Sequence, residues 1–350
     1  MRRVFLPIVF VVGIATLASL VLAQQEPITG PYKVLKTVKV GGDGGFDYVY
    51  ADAVGRRLYV PRSGPTARIT VFDLDTLEPA GEVPKVNGHG VVVDPKTNHG
   101  FVTSNPVVMF DSKTLAVIKT INVQGNPDGI LFDPFNERVY DLSHSAPYAT
   151  VIDARDGSIV GTIDLGGAPE QAVTDGNGHV YVDIEDKGNV AVLDAKNLAV
   201  TAHYDVSSKA GICAGLAIDA KNRVLFVACR DPHVMVILNA DDGNLITTLP
   251  LSGVTDGAAF NPTTMEAFSS HAEGTLTVIK EDSPTSFAVE QNLTTMPSAK
   301  TLTLDRQTNR ILLIAAMFDP PPAGTPPLSN GRIARGPMQP GSFSILTVAK

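Results

Sequence analysis

The sequence predicts an all-β protein, a seven-bladed β-propeller of four-stranded antiparallel blades. Three observations lead there. One short pattern occurs seven times, anchored at Asp52, Asp94, Asp133, Asp175, Asp219, Asn261 and Asp305. The anchors are spaced 42, 39, 42, 44, 42 and 44 residues apart, the period of propeller blades built from short strands. Each anchor ends an apolar run, opens a turn, and is followed by a second apolar run with an aromatic near its start.

The third repeat justifies the elements in order. Gly129–Phe132 is an innermost strand, and Asp133–Glu137 is a turn in which Pro134 and Asn136 supply the geometry. Arg138–Leu142 is a second strand and Ala149–Ile152 a third. Asp153–Gly157 is a hairpin turn, and Ser158–Leu165 is the outer strand. Short β-rich runs bounded by turn residues at this spacing are antiparallel. Third strands likewise end at Phe72-Asp73, Phe110-Asp111, Leu193-Asp194 and Leu238-Asn239. The acid-rich turns that follow are read as capped hairpins, because they lack the alternating ligands and closing Glu of a calcium loop.

The seventh repeat is one strand short. Its strands are expected near Thr301–Leu304, Arg310–Ala315 and Ser342–Val348, after which the chain ends. Tyr32–Val40 is a spare strand at the other end, and it is expected to close the ring as the outer strand of blade seven, removing exposed edges. Residues 317–340 interrupt this blade with Asp319-Pro320-Pro321-Pro322, Pro326-Pro327 and Pro340-Gly341. Such a segment is neither helix nor central strand. It is either a lid over the propeller face or a loose insertion.

Residues 1–23 read as a secretory leader: Arg2 and Arg3, a long apolar run, and the small-residue site Val21-Leu22-Ala23 before Gln24. An uncleaved membrane anchor is the alternative. Residues 24–350 are then the propeller, periplasmic or secreted, with no further membrane span and expected to be a monomer. The net charge of −8 becomes −10 once Arg2 and Arg3 leave with the leader. That balance disfavours nucleic acid as a partner. The two cysteines, Cys213 and Cys229, flank the turn Asp219–Arg223. If Ile218 pairs near Val224, they face each other on adjacent strands. A disulfide suits an exported chain, with two buried thiols as the alternative.

These repeats resemble the YVTN-type, YncE-like family of seven-bladed propellers. The resemblance rests on Phe101-Val102-Thr103-Ser104-Asn105, on Tyr59-Val60 and Tyr181-Val182, and on Asn126-Pro127-Asp128-Gly129-Ile130 before Phe132-Asp133-Pro134. It implies an exported propeller and leaves the reaction, if any, open. The chain has no Trp, unlike WD-type repeats. Blade six departs from the pattern at Lys280-Glu281-Asp282, and blade seven by its insertion.

In a propeller the entrances of first strands and the exits of second strands meet on one face around the channel. Five residues before each anchor stand Asp47, His89, Asp128, Glu170, Ala214, Asp256 and Lys300. At the second-strand exits stand Arg62, Asn105, His144, Glu185, Arg230 and His271, with Met317 entering the insertion. Converging polar side chains of this kind form a ligand funnel. The expected binding set is Asp47, Arg62, His89, Asp128, His144, Glu170, Glu185, Arg230, Asp256 and His271. Its ligand is a small molecule, peptide or protein. No cofactor is required. A divalent cation, calcium or zinc, held by Asp128, Asp256 and His89, is the alternative, and with it a lactonase- or esterase-type hydrolase. No His-x-His, His-Glu-x-x-His or Gly-x-Ser-x-Gly motif is present, so an enzyme is the less favoured reading. A third reading is an accessory subunit of a periplasmic redox complex, whose redox centre would come from elsewhere because no Cys-x-x-Cys-His motif is present.

Overall fold

A computed structural model describes residues 29–326 and 334–350. The leader read over residues 1–23, and 327–333 within the insertion, lie outside these. The described chain forms seven four-stranded antiparallel sheets, six of them following the chain from the channel outwards and the seventh taking its outer strand from the other end of the chain. Blade three illustrates the pattern, with strands Pro127–Asp133, Arg138–Ser143, Ala149–Asp153 and Ile159–Ile163. Among the described residues no helix is long and apolar enough to cross a membrane.

The anchor residue recurs because its side chain builds the first turn. In all seven blades its Oδ1 accepts a hydrogen bond from the backbone N–H two residues on: Val54, Lys96, Phe135, Asn177, Lys221, Thr263 and Gln307. Asp and Asn close such turns from within. The outer turns use the same device. Asp73 Oδ1 accepts from the N–H groups of Asp75 and Thr76, and Asp111 Oδ1 from those of Lys113 and Thr114. These carboxylates serve their own hairpins.

Packing is between blades. Seven apolar clusters lie in the seven interblade seams. The aromatic of each second strand fills one of them: Tyr59, Phe101, Tyr140, Tyr181, Phe226 and Phe268 are fully buried. Leu312 takes this place in blade seven. The hydroxyls of Tyr59 and Tyr181 also cross the seam, donating to the carbonyls of Ser112 and Ala240. Each sheet thus depends on its neighbours, as in other repeat architectures.

Blade seven is assembled from both ends of the chain. Leu302–Asp305, Arg310–Ala315 and Ser344–Ala349 are followed outwards by Lys33–Lys39, which pairs antiparallel with Ser344–Ala349. Tyr32 secures the closure. Its backbone N–H donates to Gln291 Oε1 at 2.8 Å, its hydroxyl donates to the Glu266 carboxylate, and its ring meets Phe268 edge-on. The Lys350 ammonium binds the same carboxylate.

The disulfide between Cys213 and Cys229 is present. The register that creates it differs from the expected one. Ile218 pairs with Leu225, one residue further on, and shifts in the ladder on both sides of Cys213 bring it opposite Cys229. A bulge performs the correction that a uniform ladder would not. The insertion begins as a short antiparallel stem. Phe318 bridges Met338, and both side chains pack against the seam between blades seven and one. The stem leaves from a second-strand exit, so it rises on the channel-mouth face.

Two outcomes follow. Tyr32→Ala should cost about 3–5 kcal/mol, and deleting residues 30–40 should cost more and melt the whole ring, as read by thermal circular dichroism. Melting unchanged from the parent would show that closure lies elsewhere. Replacing both cysteines by Ala should cost about 3 kcal/mol, the chain-entropy value for a loop of this size (separation 16), read by denaturant titration.

Candidate functional site

The residues five before each anchor enter the mouth from six of the seven blades, and a single charged network links them. His144 Nε2 lies 3.2 Å from Asp128 Oδ2, and Asp128 Oδ1 lies 3.2 Å from His89 Nδ1. The same His89 nitrogen is 3.2 Å from Asp47 Oδ2. Lys300 Nζ donates to Asp47 Oδ1 at 2.9 Å and also to Asp256. Asp256 accepts from Arg230 as well, and Arg230 donates to Glu185. Arg230 Nη2 is 3.7 Å from Glu170 Oε1.

Eight of the ten expected binding residues belong to this network. The acids Asp128, Glu170 and Asp256 are buried, whereas the His89 side chain is 41% and the His144 side chain 31% exposed. The mouth therefore has an accessible imidazole rim over a floor of carboxylates.

Arg62 and His271 do not join it. Arg62 is buried, with its guanidinium 3.7 Å from the Phe343 ring centroid and donating to the carbonyls of Gly41 and Gly44. Burial, with Arg68 nearby, lowers its pKa to about 10. His271 is fully buried, with Nδ1 3.1 Å from Thr275 Oγ1 and 3.3 Å from Ser252 Oγ. Burial holds it near pKa 3, so it is neutral. The reason is register. His144 and Arg230 stand eleven residues after their anchors, and Glu185 is their equivalent after a turn one residue shorter. Arg62 and His271 stand ten after theirs, aligned with Ser143 and Cys229. One residue of offset turns a strand side chain to the opposite face.

The expected metal set is likewise split. Asp128 and His89 lie together, but Asp256 sits between Arg230 and Lys300. Two other groupings bring donor atoms within 4.8 Å of one another: Asp47, His89 and Asp128, and Asp128, His144 and Glu170.

The electrostatics follow from this layout. Burial raises the Asp47 carboxyl, but Lys300 and His89 together outweigh it and leave its pKa well below the usual range. The hydrogen bond to Asp47, reinforced by the charge of Asp128, raises His89 above an ordinary imidazole. Burial raises Glu170 strongly, and Asp256, Glu185 and Asp128 add to it.

Three residues outside the expected set matter. The Tyr48 hydroxyl crosses from blade one to donate to Glu170 Oε2 at 3.2 Å. Burial raises its pKa well above normal, followed by the charges of Glu170, Asp128, Asp47 and Asp256, which places it among four carboxylates. Gln171 binds the N–H groups of Leu216 and Ala258 and the carbonyl of Ala258, stitching blades four, five and six. Asp141 is buried, and neither of its carboxyl oxygens has a hydrogen-bond partner. Burial and then Asp128 raise it to about 8. Tyr48 and Gln171 each follow a mouth position in sequence, a signal visible after the repeat is aligned. Asp141 falls within an apolar run, where a carboxylate is itself the anomaly.

No protein-family model and no curated protein matches this chain. Among solved structures, it superposes on a crystal structure of the RRP9 WD40 repeats with a TM-score of 0.71 at 10% identity, covering 93% of this chain and 99% of that one. It superposes on a chain of a crystal structure of the mitotic checkpoint complex with a TM-score of 0.67 at 11% identity, covering 89% and 95%. At such identities the likeness defines the fold. The protein is a seven-bladed β-propeller of the shape seen in WD40 repeats, built without tryptophan.

Asp141 supplies a pH test. Its folded pKa lies above the unfolded value of an Asp, so the folded state binds this proton more tightly. The stabilisation is complete below about pH 4 and is lost as pH rises to about 8. Asp141→Asn should remove this slope and melt higher than the parent above pH 8, by a few kcal/mol. Parallel melting curves across that range would show that Asp141 is solvated.

Proposed function

We propose that this protein is an exported β-propeller binding protein, a monomer that presents its channel mouth to a small molecule, peptide or protein bearing a positively charged group. The observation that carries this is the continuous network from His144 through Asp128, His89, Asp47, Lys300, Asp256 and Arg230 to Glu185. Five blades contribute to it side chains that stand in or just before their first strands, a convergence typical of ligand sites. Its carboxylates outnumber its lysine and arginine groups, and the two fixed cations cluster on one side with Asp256 and Glu185. The His89–Asp128–His144 side is the more accessible and keeps an acidic floor. A cationic group is therefore the complement it recognises.

Export is supported by the leader read over residues 1–23 and by the Cys213–Cys229 disulfide, which suits an oxidising compartment. On this reading the repeat motifs support a likeness to the YVTN-type propellers. Superposition on propellers from the mitotic checkpoint complex and the RRP9 WD40 repeats adds general support for a binding scaffold, by analogy of fold alone. A hydrolase would need a cation with an open coordination position at the same mouth.

The test is a melting-temperature panel of basic and acidic small molecules and short peptides at low and high salt. A ligand at a hundred times its Kd adds about 2.7 kcal/mol to the folded state. Basic compounds should raise the melting temperature by several degrees, less at high salt, and the rise should vanish in Asp128→Asn. Stronger stabilisation by acidic compounds, or an undiminished rise in the variant, would sink this reading.

A further inference from the structure

We propose that the mouth holds a carboxylate-bridged pair of divalent transition-metal sites, with Asp128 as the bridge. Asp47 and His89 complete one site, and His144 and Glu170 complete the other. This rests on the mouth being the binding face and names the chemistry of its accessible side.

The geometry that points here is the sharing of one carboxylate between two donor triads. Asp47, His89 and Asp128 form the first, and Asp128, His144 and Glu170 the second, each with donor atoms within 4.8 Å. The two oxygens of Asp128 face different imidazoles. Oδ1 is 3.2 Å from His89 Nδ1, and Oδ2 is 3.2 Å from His144 Nε2. A bridging carboxylate gives one oxygen to each metal in this way.

The spacing fits a metal. With bonds of about 2.0–2.1 Å, ligand atoms around a tetrahedral ion stand about 3.3 Å apart. The separations of His89 from Asp47, of His89 from Asp128 and of His144 from Asp128 are all 3.2 Å. His89 Nδ1 faces two carboxylate oxygens at the same distance. One N–H points along one line and serves one of them well, whereas a cation among the three atoms satisfies all of them.

The terminal carboxylates are oriented from behind, as metal ligands commonly are. Lys300 holds Asp47 Oδ1 and leaves Oδ2 toward His89, and the Tyr48 hydroxyl holds Glu170 Oε2. Asp141 is a further buried carboxyl with no hydrogen-bond partner on either oxygen, close enough to Asp128 to feel its charge. Paired imidazole and carboxylate donors select zinc or manganese over calcium, which prefers oxygen ligands throughout.

The test is calorimetric titration of the EDTA-stripped protein with zinc chloride or manganese chloride alone. Two ions per chain are expected. His89→Ala and His144→Ala, on the accessible rim, should each leave one. Asp128→Asn should weaken both sites at least tenfold. The manganese-loaded parent should show a spin-coupled paramagnetic resonance spectrum, lost in all three variants. The metal-free variants must match the parent in circular dichroism and melting, and the two rim variants decide the matter if Asp128→Asn misfolds. A stoichiometry below two, or an uncoupled spectrum in the parent, would overturn the proposal. If no metal binds while basic compounds still stabilise through Asp128, the bridged pair is wrong and the binding face stands. If neither binds, both fall.

Discussion

A four-stranded antiparallel sheet has two faces and cannot bury either by itself. Every other feature of this molecule answers that constraint. Each blade packs both faces against neighbours, so the apolar material is divided among seven seams rather than gathered into one core. The seams have partners all round only if the ring closes. Closure falls to Lys33–Lys39 on the edge of Ser344–Ala349, fastened by Tyr32, Glu266 and Lys350. The two chain ends become neighbours because the last blade would otherwise present an open edge.

Closure also makes the mouth. Side chains separated by up to 253 positions, as Asp47 and Lys300 are, meet because their strands enter the ring at the same depth. Gathering so many ionisable groups carries an electrostatic cost. The network meets it by alternation of charge on one side, where Asp256 lies between Arg230 and Lys300. On the other side imidazoles alternate with carboxylates, and their charge depends on their surroundings. The stitching by Gln171 and the reach of Tyr48 across the ring tie the two sides into one floor. The disulfide joins the residues next to Ala214 and Arg230, fixing blade five where its arginine anchors the network.

The repeat was legible because its anchor has a local cause. A side-chain oxygen that accepts from the N–H two residues on needs Asp or Asn at that position whatever the neighbouring blades do. Ring closure was legible because a missing strand and a spare one are both countable. Most of the mouth followed from the same alignment, since equivalent positions reach equivalent places. The exceptions share one origin. Arg62 and His271 were aligned one position short, and strand alternation then sent them into the protein, against Phe343 and beside Thr275.

Composition, repeat period and turn chemistry act over a few residues, and they determined the blade count, the strand order and the face on which polar residues gather. The tertiary structure decided the pairings. It set Asp256 between Arg230 and Lys300, and it set His89 and His144 on opposite oxygens of Asp128. It also moved the Cys213 register by a bulge. These depend on contacts between residues 16 to 44 positions apart. A shift of one residue or of an ångström changes the partner there, and no local pattern in the chain encodes distances of that kind.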